Sequence, residues 1–247
     1  MNIAGGTDVG SVRAANEDYY KIFKFDENSF CAVVADGMGG HKGGKVASTT
    51  AATLIIDYIR ENLSLSELSD DTIFQILKDA IKQANEKLFI KSLTEEELSG
   101  MGTTVVAVIY KSGKLYTANI GDSRMYIIDN GIRQVTKDHS YVQDLVDKGI
   151  ISENEAAKHP NKNIITRAVG TELDIDIDLY KIEINSHTKI LLCTDGLTNF
   201  VDDKTIEKIM LEYNCSAAKD KLIELANRNG GRDNITLINI DFGEVAR

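Results

Sequence analysis

Between Thr103 and Val135 four short apolar runs follow one another with only tight joints between them: TVVAVIY, KLYTANI, RMYIID and a last run ending at Val135. The joints are Ser112-Gly113, Gly121-Asp122-Ser123 and Asn130-Gly131, the last a dipeptide that favours a hairpin. Parallel strands need a crossover of a dozen or more residues, and none fits here, so this stretch commits the chain to antiparallel sheet. The remaining elements must be layers placed against it.

Upstream, the pattern predicts strands over residues 2–7, 18–24 and 29–35, the last two joined by the turn Asp26-Glu27-Asn28. Two helices follow. The first, over 46–62, carries Ala47, Ala51, Leu54, Ile55 and Tyr58 on one face. The second, over 71–91 with Ser69 or Asp70 as its cap, carries Ile73, Ile76, Leu77, Ile81, Ala84 and Leu88. Beyond the strand run, residues 138–170 are polar and irregular, with a short helix near 141–148, and read as a surface flap. Strands over 174–184 and 189–194, helices near 203–213 and 216–229 and a final strand over 234–242 complete the chain. Strands, a helix pair, strands and a second helix pair make a segregated α+β pattern rather than βαβ alternation.

The single proline, Pro160, and the lack of any Ser/Gly-rich or charge-block segment leave no linker in 247 residues, so one domain is expected over 1–247. A net charge of −10 argues against nucleic-acid or anionic-membrane partners, which need a basic face. The start, MNIAGGTDVG, lacks the basic head and apolar middle of a signal peptide, and no apolar run approaches the roughly 20 residues of a membrane helix. A cytoplasmic protein is expected. Cys31, Cys193 and Cys215 share no close spacing and read as reduced core cysteines.

A recurring device concerns carboxylates. The run FCAVVA stops at Asp36-Gly37, ILLCT stops at Asp195-Gly196, YTANI is followed by Gly121-Asp122, and Asp18 and Asp233 stand just before strands. One Asp-Gly is most simply a turn. Several strands that each deliver an acid at the tip are a way to converge carboxylates on one edge, and like charges raise one another's pKa unless a cation lies between them. Hard oxygen ligands favour Mg²⁺ or Mn²⁺, and no His/Cys spacing points to zinc. Two such ions about 4 Å apart suit phosphoryl chemistry. Arg13, with its planar fork of donors, suits the remaining phosphate oxygens; alternatively it is a surface arginine paired to Glu17 or Asp18.

The stretch from Gly39 to Lys45 also fits the phosphate-binding pattern G-x-x-x-x-G-K between a strand and a helix. Against a P-loop-like nucleotide-binding protein stand Val46 where a hydroxyl should hold Mg²⁺, an Asp36 without a task, and the antiparallel run from Thr103.

The set R-x-x-N-E-D (Arg13 to Asp18), D-G-M-G-G (Asp36 to Gly40), M-G-T-T (Met101 to Thr104), G-D-S-R (Gly121 to Arg124), D-H-S (Asp138 to Ser140), T-D-G-L (Thr194 to Leu197) and R-D-N (Arg232 to Asn234) resembles the metal-dependent protein serine/threonine phosphatases of type 2C, the PPM family. It is most similar to the short bacterial members made of the catalytic domain alone. The resemblance implies a central β-sandwich of two antiparallel sheets with a helix pair on each outer side. Carried over residue by residue, Asp36 would bridge two metals with Gly37 adding its carbonyl. Asp18 would serve one metal, Asp195 and Asp233 the other, and Glu17 would orient metal-bound water. Asp122 with Asp195 would form a third, weaker site, and Arg13 would grip the phosphate. In this family a metal-bridged water attacks phosphorus directly, so no phosphoenzyme is expected.

Two departures stand out. Relatives with D-G-H-G-G are thought to use that histidine as the acid for the leaving group; here Met38 holds the place, which leaves metal-bound water or His41. Asn199 stands where some relatives have a further aspartate, which bears on the third site. His139, His159 and His187 read as surface or packing residues. The resemblance implies phosphorylated protein substrates, a bacterial Hanks-type serine/threonine kinase as counterpart, and a monomer. A phosphatase dedicated to one regulatory protein and a non-catalytic binding module on the same fold are the rival readings.

Overall fold

The computed structural model describes residues 1–63 and 67–243, with the backbone alone at residue 41. Among these residues the chain runs β1 (Asn2–Asp8), β2 (Tyr19–Asp26), β3 (Ser29–Ala35), β4 (Gly37–Met38), α1 (Gly40–Asn62), α2 (Asp70–Thr94), β5 (Gly102–Thr103), β6 (Val105–Lys111), β7 (Lys114–Ile120), β8 (Arg124–Ile128) and β9 (Ile132–Gln134). It continues through α3 (Tyr141–Asp147), α4 (Glu153–Ala156), β10 (Asp178–Glu183), β11 (Lys189–Cys193), α5 (Asp195–Thr198), α6 (Asp203–Glu212), α7 (Cys215–Arg228) and β12 (Ile235–Asp241).

Two antiparallel sheets result, ordered β1-β12-β11-β8-β9 and β10-β7-β6-β3-β2, with β4 and β5 forming a small ladder of their own. The continuous apolar run of β3 is explained by burial of both its faces. Cys31 and Val33 face α1 and α2 in one core cluster, while Phe30, Ala32 and Val34 meet Met125, Ile127, Leu192 and Ile238 between the sheets. A third cluster seals α6 and α7 onto the other sheet through Ile206, Met210, Ala218 and Leu222. Helix pair, sheet, sheet, helix pair is therefore the layer order, as the resemblance implied.

Three local expectations are corrected. The run from Thr103 to Val135 does not stay in one sheet: β6 and β7 lie in one and β8 and β9 in the other, so the chain changes sheets at Gly121-Asp122-Ser123. Which sheet a strand joins depends on what its two faces pack against, and the turn chemistry does not carry that information. Helix α1 begins at Gly40 rather than near residue 46. Its glycines are poor helix formers, but the tertiary contact described below requires them. Strand β10 starts at Asp178, four residues later than expected. Ser69 is the cap of α2, its side chain accepting the Thr72 amide.

Candidate metal centre and active site

The end of the sandwich where β3 and β11 stop receives acids from distant parts of the chain. Asp36 follows β3, Asp18 precedes β2, Asp122 occupies the turn where the chain changes sheets, Asp195 opens α5, and Asp233 stands two residues before β12. Their burial and proximity raise their pKa values. Burial first, then the charges of Asp18, Asp195, Asp122 and Asp233, hold the Asp36 carboxyl well above its ordinary range. Burial likewise pushes Asp18 up to about 7, Asp122 up to about 8 and Asp195 up to about 6. Asp36 itself retains partial solvent contact, so the cluster can be reached from outside.

Glycine lets these ends meet. A Cβ on Gly37 would lie 2.1 Å from the Gly44 carbonyl oxygen and 2.7 Å from that of Glu17, so the first turns of α1 press directly on the strand end. A Cβ on Gly196 would lie 1.8 Å from the Asn234 carbonyl oxygen, which seats the start of α5 on the residues before β12.

Polar side chains then fix the pieces. The Thr104 hydroxyl accepts the Asp36 amide at 3.0 Å, and the Thr104 amide donates back to the Asp36 carbonyl at 2.9 Å. Thr194 Oγ1 donates to Asp18 Oδ2 at 2.9 Å. Asn234 accepts the Glu17 amide at 2.8 Å and donates to the carbonyls of Val9 and Ala15. Ser48 donates to the Glu17 carbonyl, and Lys45 Nζ donates to that of Asp18 at 3.1 Å while lying over the Tyr19 ring. Lys45 is thus inside a helix with its ammonium engaged. Because Gly40 to Lys45 is helical and both large sheets are antiparallel, the P-loop reading is overturned.

The residues fit a hard divalent cation. Glu17 Oε1, Asp18 Oδ1 and Asp122 Oδ1 are buried without a hydrogen-bond partner, and unpaired buried acceptors among mutually repelling acids call for positive charge. Among the described residues no three His, Cys, Asp or Glu side chains stand as a finished coordination shell. The oxygens are turned elsewhere: Asp195 Oδ2 accepts from Asn199 at 2.9 Å, and Asp233 Oδ2 accepts from Arg13 at 2.9 Å. Arg13 is thus paired to an acid, but to Asp233 rather than to Glu17 or Asp18; its side chain remains half exposed.

His139 was expected at the surface or in local packing; it is a buried strut. Its Nδ1 accepts the Gly121 amide at 3.1 Å, which places the ring proton on Nε2, 3.3 Å from Asp178 Oδ2. Its backbone amide donates to the Gly121 carbonyl, and its carbonyl accepts from Thr166. The turn bearing Asp122 is therefore braced against the segment 138–170. The D-H-S motif carried the signal without the role. The side chain of His41 lies outside the described residues.

An α-β-β-α sandwich with acids crowded at one end is the architecture of the metal-dependent phosphatases. The sequence model for protein phosphatase 2C matches residues 6–229, and the chain belongs to that family, whose serine/threonine phosphatases depend on metal. Over 237 residues it is 40% identical to the serine/threonine phosphatase Stp of Listeria monocytogenes, which covers 95% of this chain and 93% of that protein. It is 36% identical to the serine/threonine protein phosphatase PstP of Mycobacterium tuberculosis, covering 99% of this chain and 46% of that longer one. The solved serine/threonine phosphatase of S. agalactiae superposes with a TM-score of 0.91 at 31% identity over 98% of this chain and 99% of that one. The catalytic domain of PstP, solved in complex with two manganese ions, gives a TM-score of 0.81 at 34% identity and 97% coverage of each chain. No helix among the described residues is long and apolar enough to cross a membrane.

Proposed function

We propose that this chain removes phosphate from the phosphoserines and phosphothreonines of proteins, using two Mn²⁺ or Mg²⁺ ions held by Asp18, Asp36, Asp195 and Asp233 with the Gly37 carbonyl. The buried, unpartnered oxygens of Glu17, Asp18 and Asp122 carry the reading. Bound there, the ions would supply a water nucleophilic at neutral pH and would neutralise charge on the phosphate. Glu17 orients water, Arg13 offers its guanidinium to the phosphate oxygens, and Asp122 with Asp195 forms a weaker third cation position. A cysteine nucleophile is disfavoured, since burial pushes the thiols of Cys31 and Cys215 up to about 12 and about 11. Met38 cannot donate a proton, which leaves water or His41 to protonate the leaving group.

The catalytic unit spans 1–247 as a single domain, residues 138–170 act as a flap beside the site, and the protein works as a cytoplasmic monomer opposing a serine/threonine kinase. Hydrolysis of p-nitrophenyl phosphate and of a phosphothreonine peptide, with Mn²⁺ and with EDTA, tests the centre. Turnover is expected only with metal and is abolished in Asp36→Asn; metal-independent turnover or an unaffected variant would sink the assignment.

A further inference from the structure

Thr194 stands immediately before α5, the position where a threonine hydroxyl ordinarily caps a helix by accepting an amide of the first turn. It makes no such bond. The residue is fully buried, and its Oγ1 instead accepts the Thr236 amide at 3.0 Å, while its own amide donates to the Thr236 carbonyl at 3.0 Å. With that acceptance made, the hydroxyl proton goes to Asp18 Oδ2 at 2.9 Å in preference to the Thr236 carbonyl, which is 3.4 Å away. A helix has given up its cap so that one oxygen of a carboxylate is held.

Asp18 is tied at its other end as well, since its backbone amide donates to Asn16 Oδ1 at 3.0 Å. Its two oxygens are therefore unlike. Oδ2 carries the Thr194 proton, and Oδ1 is buried with no hydrogen-bond partner. Asp195 and Asp233 also spend Oδ2 on a protein donor, Asn199 in one case and Arg13 in the other. Asn199 is exposed and Arg13 half exposed, so water competes for those bonds, whereas the buried Thr194 hydroxyl has no water to turn to.

Divalent ions differ in what they ask of a carboxylate. Mg²⁺ demands near-ideal octahedral geometry at short distance, which the narrow bite of a chelating carboxylate distorts. Ca²⁺ is larger, gathers more oxygens in a looser shell and accepts both from one acid. We infer that Thr194 is a metal-selectivity residue: by withholding Oδ2 it limits Asp18 to one oxygen toward a cation, which suits Mn²⁺ and Mg²⁺ and disfavours Ca²⁺. Thr194 acts through Asp18 and is thus a positioning residue. The inference rests on the metal centre proposed above and names what decides its ion.

The test is displacement of bound Mn²⁺, followed by paramagnetic resonance, with Ca²⁺ and separately with Mg²⁺, on wild type, Thr194→Val and Thr194→Ser. Valine keeps the shape and frees Oδ2; serine keeps the hydroxyl. The ratio of the Ca²⁺ midpoint to the Mg²⁺ midpoint should fall about tenfold in the valine variant and return to within about twofold of wild type in the serine variant. A threonine that only held the fold together would weaken every ion alike, so an unmoved ratio overturns the inference and leaves the metal centre standing. A serine variant that behaves as valine does the same. Wild type from which Ca²⁺ displaces Mn²⁺ as readily as Mg²⁺ does also overturns it, and that measurement decides the matter should the valine variant fail to fold. Wild type that binds no Mn²⁺ overturns the metal centre itself, and the inference with it.

Discussion

Asp36-Gly37 and Asp195-Gly196 are the same dipeptide at the end of a buried strand, and the chain does different things after each. After Asp36 it stays extended through β4, pairs with Gly102–Thr103, and only then enters the long helix α1. After Asp195 it coils at once into the single turn of α5. In both, the glycine exists to admit a neighbouring backbone, Gly44 in one and Asn234 in the other. The local fold differs, then, while the requirement is shared: an acid at the strand tip and a second backbone pressed against the residue beside it.

The sharpest way to separate the two is to neutralise each acid. Burial raises both carboxyls most; beyond it Asp36 is pressed by four other aspartates, and Asp195 by Asp233 with relief from Arg124, Asn199 and Lys162. Asp36→Asn should lower metal-dependent kcat on the order of 10³-fold or more, and Asp195→Asn by less. Equal losses, read from Mn²⁺-dependent hydrolysis, would erase the distinction.

Adding one methyl group at either glycine attacks the shared requirement. Gly37→Ala and Gly196→Ala should each destabilise by about 3 kcal/mol or more, because backbone rather than a flexible side chain must give way. Urea unfolding measures this, and a cost under about 1 kcal/mol at either site would show that the neighbouring backbone is not fixed.

A third prediction concerns pH. The folded-state pKa values of Asp18, Asp122 and Asp195 are raised to about 7, 8 and 6, above the ordinary carboxylate value, so the metal-free fold holds protons that the unfolded chain has released. The stability they contribute is fully present below about pH 4 and is lost as pH rises through 6 to 8, by a few kcal/mol. Mn²⁺ should therefore stabilise more at pH 8 than at pH 5, a trend that unfolding curves with EDTA and with Mn²⁺ would reverse if these acids were already paired.

The smallest effect belongs to the strut. His139→Asn keeps an acceptor where Nδ1 receives the Gly121 amide and His139→Gln does not, so Gln should cost about 1 to 2 kcal/mol more than Asn and weaken Mn²⁺ binding at Asp122. Manganese titration followed by paramagnetic resonance separates a loosened site from a merely less stable protein.

Much of this was legible in the residues. Strand β3 was predicted with the bounds it has, because an apolar run closed by Asp-Gly admits little else, and α2 followed from its helical spacing. The change of sheet at Asp122 was not, since Gly121-Asp122-Ser123 has the chemistry of any hairpin joint and the outcome depends on distant packing. The early start of α1 was hidden because Gly43 and Gly44 look like breakers until Gly37 and Met101 are seen to occupy the space their side chains would need. The pairing of Arg13 with Asp233, 220 positions apart, has no local trace at all.

Asn234 ties Glu17, Val9 and Ala15 to the start of β12, and β12 itself is inserted between β1 and β11. During synthesis the loop that carries Arg13, Glu17 and Asp18 can already meet Lys45 and Ser48, but its ties to Asp233 and Asn234 wait until the end of the chain has emerged from the ribosome. Non-local pairings of this kind are slow to form because loop closure precedes their reward. A chain truncated before Asn234 and β12 is expected to show no metal-dependent turnover, because the strand between β1 and β11 and the Asn234 tie are both missing.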